Sequence, residues 1–237
     1  MNKIVSIKTG INEIDSIISG MYPSELVIVG GRPECDKTLF LCKLAKNICK
    51  ENNGIYFSLQ TTEDLLRAKI ASCFTEKPLP EILENGLTDQ TTEEKVNTIN
   101  LKIIDDFDMN TDKLCKATRK ACKNKNVKLI FIDYLTLLHS KDDTRPYYEF
   151  CTETLLELKR LAKELNIVVV LANPLARTCE PEARPTLSQL RGCGEIENVS
   201  DLVILLNPEE DGIQKFFVEK NIRGKTGEGI IQTQETV

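Results

Sequence analysis

Short apolar runs alternate with helical patterns along most of the chain. Strands that stay apolar along their length are typical of a parallel sheet covered by helices on both faces. The apolar runs are Leu26–Val29, Gly54–Leu59, Leu101–Ile104, Leu129–Ile132, Ile167–Leu171 and Leu202–Leu206. The helical patterns are Thr38–Lys50, Glu63–Cys73, Thr111–Lys123 and Tyr147–Leu165. The alternation predicts an α/β fold with a mostly parallel, twisted sheet flanked by helices.

The end of the chain has a different pattern. Gln214–Glu219 and Glu228–Thr233 flank a Gly-Lys-Thr-Gly turn, which predicts a C-terminal β-hairpin. Residues 74–100 are polar and weakly patterned, and we expect only a helical excursion there. With no linker or repeat visible, residues 1–237 are predicted to form one domain.

Composition excludes several classes of protein. No apolar run approaches the length that spans a membrane, so we expect no membrane partner. Nine cysteines without a C-x-x-C pair favour a reducing, cytoplasmic setting over a disulfide framework or a metal site. The net charge of −5 argues against a protein that coats nucleic acid by itself, so any DNA contact must come from local basic loops.

A phosphate-binding loop is predicted after the first strand. Gly31 to Thr38 has the length of G-x-x-x-x-G-K-[ST], with Asp36 at the second glycine, and it lies between a strand and a helix. Lys37 at the helix start is expected to neutralise the β- and γ-phosphates of a nucleotide, although a lysine there can also be simply solvated. The Thr38 hydroxyl is a candidate Mg²⁺ ligand or an ordinary first-turn residue.

Asp133 ends the apolar run after Leu129. A carboxylate is costly in that position unless it holds a metal-bound water, so we predict that Asp133 and Thr38 bind Mg²⁺. A turn or cap acid is the competing interpretation. The single histidine, His139, begins a loop and is predicted to be a surface residue rather than a catalytic base.

Several further segments follow one another in a fixed order and spacing from about Ile7 to Gln232, namely Thr9–Asp15 with Gly20, Pro23–Leu26, Arg32–Pro33, Phe57–Leu59, Ile132–Leu135, Leu158–Leu165, Arg184–Pro185, Leu190–Arg191, Gly194, Ile196–Glu197 and Asp201. Together they resemble the DnaB family of replicative DNA helicases. The resemblance implies a RecA-like P-loop NTPase motor in a hexameric ring that uses ATP to move along single-stranded DNA. It also implies that the family's N-terminal assembly domain is absent, since the motor pattern begins within the first ten residues.

At four positions that the resemblance assigns to ATP binding or hydrolysis, this sequence differs from the family. Asp36 replaces the loop glycine, and Gln60 stands where the family has the glutamate that activates water. Ile222 stands where the family has an arginine finger, although Lys220 is retained and Arg223 follows one residue later. Ala172-Asn173-Pro174 replaces the family's glutamine that senses the γ-phosphate, and Asn173 is a weak substitute for it. We predict that Arg223, in a strand, points to the face opposite the finger position.

These departures have different expected costs. The Asp36 carboxylate would repel phosphate by about 4 kcal/mol at ~4 Å and an effective dielectric of ~20, equivalent to roughly a thousandfold in affinity, with Arg32 as possible relief. Loss of a general base at Gln60 costs about 10² to 10⁴ in rate. Glu63 is an alternative base, but a first-turn role explains it better. An absent finger costs about 10³ to 10⁵.

Basic residues in two predicted loops are the candidate DNA contacts. Lys141 and Arg145 follow the fourth strand, and solvated surface charge explains them equally well because Asp142 and Asp143 lie between them. Arg177, Arg184 and Arg191 follow the fifth strand. The sequence therefore predicts either a weak or inactive helicase motor, or a non-hydrolytic scaffold or regulatory module with the same fold. A recombination or regulatory ATPase fits the Asp133-Tyr134-Leu135 segment less well.

Overall fold

Eight strands form one sheet in the computed structural model, which describes residues 4–75, 77–85, 90–139, 146–176, 184–192, 194–209 and 213–232. The strands are β1 (Leu26–Gly31), β2 (Asn53–Ser58), β3 (Leu101–Ile104), β4 (Val127–Asp133), β5 (Val168–Pro174), β6 (Leu202–Pro208), β7 (Ile213–Asn221) and β8 (Gly227–Gln232). Their order across the sheet is β3-β2-β4-β5-β1-β6-β7-β8. The first six strands are mutually parallel, and all six predicted runs are therefore confirmed.

The C-terminal hairpin prediction is confirmed as well. Strands β7 and β8 pair in antiparallel register, and β7 also pairs with β6. The hairpin therefore extends the main sheet, and β8 is one of its two edges.

Helices cover both faces of the sheet. They are α1 (Asn12–Ile18), α2 (Lys37–Ile48), α3 (Glu63–Thr75), α4 (Leu79–Asn85), α5 (Gln90–Thr98), α6 (Thr111–Asn124), α7 (Tyr147–Leu165) and α8 (Glu195–Val199). Helices α1 to α5 contribute to the core on one face, and α6 to α8 to the core on the other. The described residues of the weakly patterned stretch before β3 include helices α4 and α5, as expected.

Alternation along each strand divides the core between these two faces. In β1, Val27 and Val29 face the α2 side, whereas Leu26 and Ile28 face the α7 side, and all are fully buried. Burial on both faces explains why β1 is apolar without interruption.

The sequence predicts neither a membrane-spanning segment nor a disulfide framework or cysteine metal site. No described helix is long and apolar enough to cross a membrane. Among the described residues no disulfide and no metal-type cluster of side chains is found, and five cysteines are buried, namely Cys35, Cys42, Cys49, Cys115 and Cys151.

Candidate functional site

The loop between β1 and α2 lies at the carboxyl edge of the parallel strands, where ligands bind in open α/β sheets. A Cβ at Gly31 would lie 3.1 Å from the Cys35 Cβ, a tight contact that a larger residue could make only if Cys35 shifted slightly. The C-terminal strands hold the loop in place. The Cys35 thiol donates to the Leu206 carbonyl at 3.2 Å, and the Gln214 amide donates to the Cys35 carbonyl at 2.5 Å.

Lys37 is folded into this loop. Its Nζ donates to the carbonyl oxygens of Gly31 at 3.0 Å and Arg32 at 2.8 Å, and the residue is only 8% exposed. A buried ammonium is costly unless it is bonded, which explains why it binds loop carbonyls. The Arg32 guanidinium points elsewhere, donating to Asn207 Oδ1 at 2.5 Å.

Asp36 adopts a left-handed conformation, with φ 34° and ψ 59°. Glycine is the residue that adopts this region without strain. The carboxylate caps α2 by accepting the Leu39 N–H at 3.1 Å, and its Oδ1 lies 3.3 Å from Lys69 Nζ. The Asp36 side chain is half-exposed. It therefore meets water and a lysine, a milder environment than the bare repulsion expected from the sequence.

A hydroxyl and a carboxylate meet directly below the loop. The Thr38 hydroxyl hydrogen-bonds Asp133, and the Tyr56 hydroxyl donates to Asp133 Oδ2 at 2.9 Å. Burial raises the pKa of Asp133, opposed by the hydrogen bonds from Thr38 and Tyr56 and then by the charges of Lys37 and Lys69. The structure thus brings Thr38 and Asp133 together, as a shared metal site requires.

Gln60 follows β2 at the same edge. It is exposed, two residues beyond Ser58, which is in register with Asp133. The alternative base Glu63 is in the first turn of α3, where its backbone N–H donates to Asp105 Oδ2 at 2.9 Å. This placement agrees with the first-turn role that the sequence favours for Glu63.

Asn173 faces away from α2. It alternates with Ala172 and shares its face with Leu171, on the α7 side of the sheet. Its amide donates to the Arg191 carbonyl at 2.8 Å, and its buried Oδ1 has no hydrogen-bond partner among the described residues. Its nucleotide-sensing role stays a prediction, and this orientation is unfavourable to it.

Lys220 and Arg223 lie at the amino edge of the sheet. Lys220 is in register with Val203 near the start of β6, and its Nζ caps α8 by donating to the Glu197 carbonyl at 2.5 Å. The Arg223 guanidinium ion-pairs with Glu25 and stacks 3.9 Å over the Tyr22 ring. The prediction that Arg223 lies in a strand is wrong, because β7 ends at Asn221 and a turn follows.

The candidate DNA residues have different surroundings. Arg184 is ion-paired to Glu219 at 2.7 Å and Glu228 at 3.5 Å, whereas Arg191 is exposed and has no ion pair among the described residues. Lys141, Arg145 and Arg177 lie outside the described residues. His139 begins a loop as expected, with its Nε2 2.9 Å from the Phe107 carbonyl oxygen.

Comparison with known proteins identifies the family. The family model described as "DnaB-like helicase C terminal domain" matches residues 6–236, nearly the whole chain. This chain belongs to that family. The resemblance inferred from the sequence segments is therefore confirmed.

Curated relatives of this DnaB-like helicase domain are replicative helicases. The chain is 29% identical to "Replicative DNA helicase DnaB" of Treponema pallidum over 234 residues, covering 94% of the chain and 53% of the relative. It is 30% identical to the protein of the same name from Rickettsia conorii, covering 87% of the chain and 46% of the relative. The chain thus spans about half the length of these relatives.

Solved structures support the fold assignment of the DnaB-like domain. A structure described as an "ATPase Domain" superposes with a TM-score of 0.87 at 23% identity, covering 97% of this chain and 88% of the other. A DnaB-like replicative helicase studied with primase also gives 0.87, at 22% identity, covering 97% of this chain and 60% of the other. The fold is RecA-like, as the resemblance implied.

Sequence reasoning missed two residues at the site of this DnaB-like domain. Tyr56 was hidden within an apolar run, although a buried tyrosine hydroxyl usually needs a polar partner. Lys69 was detectable from its spacing. It lies three residues after Leu66 and four before Cys73, on the face of α3 that packs inward, where an unpaired lysine would be costly.

Proposed function

We propose that this chain is the nucleotide-binding motor domain of a DnaB-like replicative DNA helicase whose ATP hydrolysis is weak or absent. The observation that carries this proposal is the arrangement of Lys37, Thr38 and Asp133 beneath a loop in which Asp36 replaces glycine. The binding parts of the site are retained, and the residues expected to drive hydrolysis are altered. Because the chain spans only half of its curated relatives, DNA unwinding is proposed by analogy with them.

The side chains present fit ATP with Mg²⁺. On nucleotide binding, the Lys37 ammonium would leave the carbonyls of the loop and bind the phosphates. A lysine at a helix N-terminus is a favourable partner for phosphate. The paired oxygens of Thr38 and Asp133 are hard ligands of the kind Mg²⁺ prefers. When bound, the metal supplies charge neutralisation at the phosphates.

Weak hydrolysis follows from Gln60. An amide can orient water but cannot accept its proton, so the attacking water would keep its proton longer. Glu63 offers no clear replacement, since it belongs to the first turn of α3. This reasoning favours slow or absent turnover even where nucleotide is bound.

A ring of subunits is the assembly we propose. Lys220 and Arg223 lie at the edge of the sheet opposite to Gly31 and Lys37, so within one chain they cannot serve its own site. Any action of these two residues on ATP would need the site of a neighbouring subunit. A hexamer of this chain, or of this chain with related helicase subunits, meets that need. Contact with the neighbour's nucleotide would also require Arg223 to leave Glu25.

Single-stranded DNA is the proposed polymer partner. Arg191 is the described candidate whose charge is available to a phosphate, whereas Arg184 is already neutralised by two glutamates. Binding through arginine and phosphate would be independent of base sequence and sensitive to salt.

The alternative function is a non-hydrolytic scaffold or regulatory subunit of the same fold. The presence of Gln60 and Ile222 in place of the expected glutamate and arginine favours it, because each change removes a different contribution to hydrolysis. Such a subunit would bind DNA or an active helicase without turnover.

Calorimetric titration with ATP and Mg²⁺, followed by a hydrolysis assay with and without single-stranded DNA, tests the proposal. We expect binding weaker than micromolar and little turnover. Micromolar binding with turnover of about one per second would show an intact motor. Absence of binding even after Asp36→Gly would favour the scaffold.

A further inference from the structure

A second lysine lies beside the loop. Lys69 projects from α3, its side chain is only 17% exposed, and its Nζ lies 3.3 Å from Asp36 Oδ1. Its charge also acts on Asp133, whose pKa burial raises and Lys69 helps to lower. Lys69 therefore lies within electrostatic reach of both carboxylates at the site.

The balance of charge at the loop makes this position informative. With glycine at position 36, Lys37 would give the loop one positive charge. The negative charge of Asp36 cancels it, and the positive charge of Lys69 brings the net charge near the loop back to one positive. The Asp36 carboxylate is also held by the Leu39 N–H at the start of α2. The Asp36 carboxylate thus accepts a hydrogen bond from an N–H that would otherwise be available to a phosphate. Lys69 contacts the same carboxylate from α3.

We propose that Asp36 and Lys69 form a charge-compensated pair, in which Lys69 is the positioning residue that keeps the Asp36 loop able to accept a nucleotide phosphate. This inference rests on the proposed nucleotide site and deepens it. It accounts for how a loop with a carboxylate in the glycine position can keep the bonded geometry of Lys37. The effects of the two charges on phosphate affinity are opposite in sign and cancel, whereas the Leu39 N–H that Asp36 occupies still weakens binding.

The test is a two-residue cycle measured by calorimetry with ATP and Mg²⁺. Lys69→Met removes the charge and keeps the length of the side chain. Asp36→Asn removes the opposing charge and keeps a residue that caps helices and tolerates the left-handed region. We expect Lys69→Met to weaken binding about tenfold and Asp36→Asn to strengthen it by a similar factor. The double variant should return to within about twofold of the starting affinity.

Two further variants separate charge from structure. Lys69→Arg should keep the affinity, since arginine preserves the charge. Lys116→Met on α6, which packs on the other face, should leave it unchanged and controls for net charge. The effect of Lys69→Met should shrink as salt rises.

The possible outcomes separate the two proposals. The inference is wrong if Lys69→Met leaves affinity unchanged, or if the double variant binds as weakly as Lys69→Met alone. Either result with measurable ATP binding leaves the proposed function standing. Absence of binding in every variant, including Asp36→Asn, would overturn the nucleotide site and the pair together.

Discussion

The two edges of the sheet hold their buried charges in different ways. Asp36, which pairs with Lys69 at the carboxyl edge, is half-exposed and is not one of these buried charges. At the carboxyl edge, the ammonium of Lys37 is bonded to backbone carbonyls, and Asp133 to hydroxyls. At the amino edge, each buried charged group pairs with a group of opposite charge. Glu25 pairs with Arg223, and Lys159 lies 2.5 Å from Asp201, whose other bond is to the N–H of Leu26.

This difference separates a binding edge from a structural edge. Neutral partners can be exchanged for a charged ligand, because the ligand offers a stronger bond than the one it replaces. Buried opposite charges are each other's main compensation, so removing one leaves the other stranded. We therefore expect changes at the carboxyl edge to alter ligand affinity and turnover, and changes at the amino edge to alter stability.

The largest effect is expected at the carboxyl edge, from Gln60→Glu in the Asp36→Gly background. A carboxylate at this exposed position would supply the missing proton acceptor. Hydrolysis should rise by about 10² or more over Asp36→Gly alone, measured as phosphate release at saturating ATP. Gln60→Asp, with a shorter reach, is the matched control. No increase with Gln60→Glu would mean that Gln60 is not at the water-activating position.

Lys37→Met should weaken binding of ATP with Mg²⁺ by about a hundredfold in calorimetry, since the principal phosphate cation is lost. Lys43→Met is the control on the same helix, because Lys43 donates to Gln232 at the far end of the chain. Thermal unfolding should first establish that each variant is folded. Equal losses for the two variants would contradict a specific role for Lys37.

The first of the amino-edge effects is expected at Lys159. Lys159→Met would strand Asp201, which is 6% exposed, and should lower the free energy of unfolding by about 2 kcal/mol. Lys163→Met on the same helix is the exposed control. Urea unfolding measures both variants. A stable Lys159→Met variant with altered ATP affinity would break the distinction between the two edges.

Much of the fold was predictable, because burial on both faces forces long apolar strands and the turn residues mark the hairpin. The pairing of Thr38 with Asp133 was also predictable, since a carboxylate ending a buried strand must have a partner. The strands and the hairpin follow from local patterns, and the Thr38–Asp133 pairing follows because the carboxyl ends of parallel strands meet at one edge of the sheet.

The remaining features depend on tertiary geometry. The conformation of Asp36 and its approach to Lys69 are set by the packing of α2 against α3. The surroundings of Arg223 depend on where β7 ends, and because Arg223 lies in the turn after Asn221, alternation along a strand could not give its direction. Asn173 was assigned by position along the chain, whereas its orientation follows from alternation along β5.

Arg223→Ala should have the smallest effect, about 1 kcal/mol at neutral pH, because the Glu25 carboxylate keeps the N–H of Tyr22. Burial raises the pKa of Glu25 above its usual 4.5, a backbone hydrogen bond from Tyr22 opposes this, and Arg223 opposes it further. Removing Arg223 should therefore raise that pKa again. The folded variant would hold the Glu25 proton to higher pH than the unfolded chain does, so its stability would fall as pH rises through that interval. Below the ordinary pKa both states are protonated, and the loss caused by Arg223→Ala should shrink.

Unfolding at neutral and acidic pH, with Lys225→Ala as the exposed control, measures this difference. A loss that stays constant with pH would mean that Arg223 stabilises the turn through its stacking on Tyr22 rather than through Glu25.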